Sequence, residues 1–494
     1  MHNNKSTKQR RRTRLRIIYS GIAMIAILIM LFFSCYNIRI TQVVAEKNNS
    51  KAGTMVPNTA TEVVKAMKVG WNLGNSLECS TDPDTDKSGV KTYQFYEKYG
   101  NNPLVTREMI NAVKDKGFKS IRIPVSWARK LPKTEINYSE NSEDEIYKYV
   151  GEVNGKIDEG WMNRVKEVVD YVLKDENGNF NDDDVYCIIN VHHDVGKGSW
   201  PIIFATDNED RQEMYKNRLV NLWKQISEEF KDYDNRLIFE GFNEILVEDN
   251  GNNWITSEQL FNSETYKTKY NAEKVLESVN VYNQAFVDTV RATGGNNTNR
   301  FLCVNTYGAE LKKEAIDYFV LPKNNGIVDN RLIVQIHQYD ESDNDQIYTT
   351  LKNKFLNNNV PVIIGEYGYT LRNSSDSKFA TRVKYHTNIL KQLGITCFWW
   401  DMGYSNNKNA QGFSFLDREN LNWRFTNSLQ SFLDGANLKT EGNDTELDYI
   451  LNQGKIDTGL EVNKNSVFEI KGEFFMPDGQ YVRRNNNRNR CERR

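Results

Sequence analysis

Net charge is almost absent from this chain. Its 494 residues carry 64 Lys and Arg against 66 Asp and Glu, a balance of −2 that gives no general attraction to nucleic acid. Closely spaced cysteines are missing too. The six, Cys35, Cys79, Cys187, Cys303, Cys397 and Cys491, are too scattered for a zinc ribbon or a dense disulfide framework. Cys187, Cys303 and Cys397 fall inside apolar runs and read as small core residues. No internal repeat stands out, and no H-E-x-x-H helix is present. Histidine is scarce, yet three of the five, His192, His193 and His337, fall at the ends of apolar runs. Stability must rest on a large core, and the length suffices for one barrel of about 250–400 residues with appendages. Aromatics, by contrast, are plentiful at 12 %, more ring surface than a core alone usually needs.

The one long apolar run lies at the N-terminus. Residues 8–16 read KQRRRTRLR and residues 17–36 read IIYSGIAMIAILIMLFFSCY. Twenty mostly apolar residues in a helix span roughly 30 Å, the thickness of a bilayer core. The basic block should stay in the cytoplasm and send the rest outside. The expectation is a protein secreted or anchored at the cell surface, with residues 1–45 as signal peptide or membrane anchor. Cleavage after Ala45, retention of 17–36 in the membrane, and lipidation of Cys35 all stay open, although Phe32 and Phe33 suit the last poorly. Residues 46–60 read as a polar spacer.

From there strand-like runs alternate with amphipathic helical ones. The strands centre on 67–72, 119–124, 185–191, 236–240, 300–305, 332–337, 361–365 and 395–400. Helices are expected at 105–116, 158–174, 211–230, 273–292, 345–357, 378–392 and 422–434. Eight buried strands alternating with helices predict an α/β fold, a (β/α)8 TIM barrel over residues 61–436. A doubly wound open sheet fits less well, because acidic and aromatic residues follow many strands and not one switch point. Polar insertions at 79–102, 131–157 and 245–271 would form extended loops on the C-terminal face of the strands and wall a cleft. Residues 437–494 contain no Trp and only a weak strand pattern at 466–475, which suggests a linker or an incomplete module.

The chemistry concentrates at strand ends. Two apolar runs each close on a glutamate, RLIFEGFNE (236–244) and VPVIIGEYG (360–368). Acids there stand at the mouth of a barrel, and two facing carboxylates are what glycosidic cleavage requires. One glutamate alone is as readily a helix cap or an ion-pair partner; Glu244 and Glu366 together are harder to explain that way. His337 and Tyr339, two apart in RLIVQIHQYD, should share one face, whereas His192 and His193 should point opposite ways. His192-His193-Asp194 invites a metal reading, but residues that diverge make a poor ligand set. Arg122 sits inside the apolar strand GFKSIRIPVSW, so its guanidinium must be paired, with the nucleophilic carboxylate as a natural partner. A positive neighbour should hold that carboxylate's pKa low. Of Trp399 and Trp400, one ring should face the barrel interior and form a floor for a sugar. Trp71, Trp127, Trp200 and Trp254 are further platform candidates, with core packing the commoner fate.

The motifs GWNLGNSLE (70–78), VHHD (191–194), FEGFNE (239–244), IGEYG (364–368) and FWWDMG (398–403) resemble glycoside hydrolase family 5, in its endoglucanase/xyloglucanase branch. The resemblance covers about residues 60–435. It implies a retaining endo-β-1,4-glucanase acting on a β-glucan, with Glu244 as general acid/base and Glu366 as nucleophile. It implies further that Asn243 binds the sugar 2-hydroxyl, His337 supports Glu244, Tyr339 bonds Glu366, and Arg122 keeps Glu366 ionised. His192 and Trp400 would line the same sugar position, with His193 and Asn75 among the supporting residues. Met402 stands where the branch usually has Asn. No metal or organic cofactor is expected, nor an oligomer. Xyloglucan, mixed-linkage glucan and mannan remain alternative polymers. Two other classes compete at a distance. A non-catalytic carbohydrate-binding protein should lack one carboxylate, and a metal-dependent hydrolase should respond to chelators.

Overall fold

In the computed structural model, the residues described are 59–79, 97, 102–127, 155–196, 202–249, 254–324, 330–339, 345–369, 376–403 and 413–437, with the backbone of three short strands beyond. The unit Met1–Asn58, and with it the apolar run and Cys35, lies outside them, as do Trp200 and Cys491. Eight parallel strands close into a barrel: β1 Gly70–Leu73, β2 Ser120–Ile123, β3 Tyr186–Asn190, β4 Leu237–Glu240, β5 Leu302–Asn305, β6 Leu332–Gln338, β7 Val362–Tyr367 and β8 Thr396–Asp401. Each overlaps a run read as a strand from sequence. Closure is direct, with Gly70 to Leu73 of β1 paired to Phe398 to Asp401 of β8.

Alternation along the strands builds two interior layers. Ile188, Ile238, Cys303, Ile333, Ile363 and Phe398 point inward and form the lower, apolar layer. Gly70 completes it because the Phe398 ring occupies the space a Cβ would need. A helix over Ala60–Met67 plugs the bottom, burying Ala60, Val63, Val64 and Met67 against this layer. That helix is absent from the sequence-based reading, which ends a spacer at residue 60. Its signal was present: Thr59 and Glu62 form a reciprocal capping box. Outward positions of the strands meet the surrounding helices. Trp223 and Phe286, from helices Glu209–Glu229 and Ala272–Ala292, pack 5.2 and 4.6 Å from Phe239 and Trp223 respectively.

Helix starts are set by side-chain caps. Thr106, Asp158, Asn208 and Asn271 each accept a hydrogen bond from the backbone N–H three residues on. The helix after β5 is only six residues, Lys313–Tyr318, too short to leave a periodic signal. The insertion after β4 holds two more short helices, Ser257–Asn262 and Glu264–Lys269. The barrel ends with helix Thr426–Asn437. Farther on, strands Phe468–Ile470, Glu473–Phe475 and Tyr481–Val482 pair as an antiparallel meander. Among the described residues, no helix is long and apolar enough to cross a membrane.

Candidate active site

Two residues above the apolar layer, the same inward positions turn polar. Asn72, Arg122, Asn190, Glu240, Asn305 and Gln335 are all fully buried there, beside Trp400. Buried polar groups of this density are tolerable only if they satisfy one another, and all do except the Asn305 side-chain oxygen, which has no partner among the described residues. Arg122 is the hub. Its Nε and Nη2 donate to the two oxygens of Glu240, both at 2.7 Å. Its Nη1 donates to Glu366 at 2.7 Å and to Asn72 at 3.0 Å, and Nη2 also reaches Asn243 Oδ1 at 2.9 Å. Asn190 donates to Glu240 at 3.0 Å. Glu240 went unassigned in the sequence. Its position two residues after the inward Ile238 was the available signal.

Glu366 reaches this layer through an irregularity. Strict alternation after Ile363 and Gly365 would turn it outward. The register between β6 and β7 slips here, pairing Ile336 with Ile364 but His337 with Glu366, so Gly365 is passed over. Glu366 thereby meets Arg122 from one side and the Tyr339 hydroxyl, donating at 2.7 Å, from the other. The expectation of a low pKa does not hold. Burial pushes the Glu366 carboxyl above its ordinary value, with Arg122 and Tyr339 opposing and the Glu240 charge adding to the rise. The physical reason is complete burial, which outweighs the lowering by Arg122 and Tyr339.

Glu244 follows the end of β4 and faces Glu366. A ligating atom from each of Glu244, His337 and Glu366 lies within 4.8 Å of the others. His337 Nδ1 stands 2.5 Å from Glu244 Oε1 and 3.5 Å from Glu366 Oε2. Burial, and then Arg122, hold His337 well below its ordinary pKa, so the ring is neutral. Such a cluster has the composition of a cation site. Yet His337 Nδ1 is already engaged with Glu244 Oε1 in a hydrogen bond.

His192 and His193 do not diverge. Their rings meet edge to face, 4.6 Å apart, because the strand has ended at Asn190 and the chain is turning. Asn190 Nδ2 donates to His192 Nδ1 at 3.0 Å, which leaves the proton on Nε2, 4.0 Å from Glu366 Oε1. Burial is the main cause that keeps His192 neutral, with His193, Arg122 and His337 adding to it. Trp400 stacks parallel on His192, with ring centroids 5.9 Å apart, and is fully buried. Trp399 faces the helix layer and stacks on Phe415 at 4.1 Å. Trp71 and Trp127 are buried in the core, and Trp254 is half-buried.

Asn75 and His193 contact other groups. Asn75, at φ 54°, shapes the loop after β1, where its amide oxygen accepts the Cys79 thiol and its backbone N–H reaches buried Glu78. His193 is half-buried and its backbone N–H donates to Ser126. Met402 is buried, and its carbonyl accepts from Asn102 at 3.0 Å.

A closed (β/α)8 barrel with two opposed carboxylates at the C-terminal mouth of its strands is the architecture of a barrel glycoside hydrolase. The family model described as cellulase (glycosyl hydrolase family 5) matches residues 82–406, and the chain belongs to that family. The chain is 34 % identical to the cellulase/esterase CelE of Acetivibrio thermocellus over 77 % of its own length, but spans only 41 % of that relative. It is 33 % identical to endoglucanase A of Ruminococcus albus, covering 77 % of this chain and 93 % of that one. Among solved structures, a family 5 lichenase from Caldicellulosiruptor sp. F32, in complex with cellotetraose, superposes with a TM-score of 0.61. Its identity is 30 %, with 78 % of this chain and 98 % of that chain covered.

Proposed function

We propose that this protein is an endo-acting, retaining β-1,4-glucanase that cleaves internal bonds of cellulose-type glucans by double displacement. The observation that carries the reading is the spacing of the two carboxylates. Oxygens of Glu244 and Glu366 within 4.8 Å of each other suit direct attack. An inverting pair stands about 6.5–9.5 Å apart to admit a water.

Glu366 attacks the anomeric carbon. Arg122 and Tyr339 stabilise it as a carboxylate and hold one oxygen each, so the attacking geometry is set before substrate arrives. Glu244 gives its proton to the departing sugar oxygen and then takes one from the water that opens the glycosyl ester. His337 holds Glu244 through Nδ1. Asn243 presents its carbonyl to Arg122, which turns its NH2 the other way, toward a sugar hydroxyl. The His192 Nε2–H and the Trp400 indole N–H, which has no acceptor among the described residues, are donors for the same sugar. Trp400 offers the ring face. Asn75 and His193 act as supports of the loops around the site.

Glu366→Ala is expected to abolish hydrolysis while folding and glucan binding persist, read by reducing-sugar release, circular dichroism and affinity electrophoresis. Substantial residual activity would move the nucleophile elsewhere. Mixed-linkage glucan is the second reading, supported by the likeness to the lichenase. Product sizes from soluble cellulose, lichenan, xyloglucan and mannan would rank the polymers. Export, by signal or anchor, rests on the basic block and apolar run of residues 8–36. Fractionation of the host cells tests it.

A further inference from the structure

A chain of amides runs from the backbone just before Glu244 back to Glu244 itself. Asn305, at the inward end of β5, is clamped by Asn283, which accepts from its N–H at 3.1 Å and donates to its carbonyl at 2.8 Å. Its Nδ2 faces three acceptors: the carbonyls of Phe242 at 2.6 Å and Asn243 at 3.1 Å, and Gln335 Oε1 at 2.7 Å. Backbone carbonyls can only accept, so the Asn305 amide has one allowed orientation. Gln335 must then turn its oxygen to Asn305 and its NH2 to His337 Nε2. A nitrogen that accepts there carries no proton. The single proton of neutral His337 therefore sits on Nδ1 and is donated to Glu244 Oε1.

We propose that Asn305 and Gln335 are positioning residues that fix the Nδ1–H tautomer of His337 and thereby place the acid's proton on Glu244 Oε2. The inference rests on the assignment of Glu244 as acid/base. With Oε1 accepting an N–H, a protonated Glu244 carries its hydrogen on the other oxygen. The opposite tautomer would present a lone pair at Nδ1 and draw the proton onto Oε1, where it is spent on the histidine. Gly365 belongs to the same device. A Cβ there would collide with the Gln335 amide, so the glycine that precedes Glu366 also makes room for Gln335.

Gln335→Glu tests this, because a carboxylate of the same shape offers His337 no N–H. The probes are cellotetraose, whose leaving group needs a proton, and a dinitrophenyl cellobioside, whose leaving group does not. The quantity compared is kcat/KM, which reports only the first displacement. Gln335→Glu is expected to lose about 10²-fold on cellotetraose, the scale of general acid catalysis, and less than about threefold on the aryl glycoside. Equal losses on both, or none on either, overturn the inference. Glu244→Gln separates the two layers of argument. If it shows the split and Gln335→Glu does not, the tautomer argument fails alone; if neither shows it, the acid assignment fails and takes the inference with it. Nitrogen-15 NMR of the histidine-labelled native enzyme, with His337 assigned by His337→Gln, needs no folded Gln335 variant. A protonated Nδ1 and a bare Nε2 are expected, and the reverse pattern overturns the proposal.

Discussion

Removing Arg122 should expose how the barrel tolerates two buried carboxylates. In Arg122→Met the side-chain volume is largely kept, but five hydrogen bonds of 2.7–3.0 Å disappear and Glu240 and Glu366 lose their shared counter-charge. Breaking a buried pair typically costs about 3–5 kcal/mol, because the orphaned charge stays behind. A loss of at least about 4 kcal/mol at neutral pH is expected, since two charges are orphaned here. The loss must depend on pH. Without Arg122, burial raises the Glu366 carboxyl in the folded state still further above its unfolded value. A carboxyl raised in the folded state binds its proton more tightly there, so acid favours folding and the advantage is lost as pH rises. It contributes a slope of up to about 1.4 kcal/mol per pH unit. The gap between variant and native protein should therefore widen from about pH 5 to about pH 8. Urea unfolding followed by tryptophan fluorescence at three pH values measures it. Arg122→Lys is the control, since it keeps one positive charge but cannot reproduce the fork. It should be destabilised with a flatter pH dependence. A gap under about 1 kcal/mol at neutral pH, or one that widens on acidification, would refute the reasoning.

Other consequences are simpler to state. The buried Glu78 carboxyl, pushed up from its ordinary 4.5 to about 7 mainly by burial, should cost the native protein stability as pH rises through that window. Glu78→Gln should gain on the native protein by about 3 kcal/mol between those two pH values, whatever its offset at acid pH, and a constant offset would count against the assignment. Thr59→Ala removes the cap of the helix that plugs the barrel floor and should cost about 1 kcal/mol in urea unfolding with kcat unchanged.

Much of this molecule was legible in one dimension. All eight strands announced themselves as short apolar runs, because a strand buried on both faces needs no partner to reveal it. The helix caps were legible for the same local reason, and the capping box of Thr59 and Glu62 would have disclosed the plugging helix. At the site, Arg122 betrayed itself as a charge in an apolar strand. Asn72, Asn190, Glu240, Asn305 and Gln335 carried the same signal, polar at inward positions two residues past an apolar one. A neutral amide in a strand invites less suspicion than an arginine, which accounts for the four amides; Glu240, charged like Arg122, did carry that warning.

What the amino-acid order determined by itself is the (β/α)8 arrangement and the identity of the acids at its mouth. Period-two and period-3.6 patterns are local and survive without neighbours. Three matters were decided only in three dimensions. Glu366 points inward because β6 and β7 slip register at Gly365, which no alternation rule foresees. Its carboxyl is raised because the closed barrel buries it, more than Arg122, shared between partners 118 and 244 residues away, can offset. His337 is held in one tautomer by amides on two neighbouring strands. Each depends on which groups meet across the closed barrel, and that meeting is a property of the sheet's register and closure, which no stretch of sequence contains.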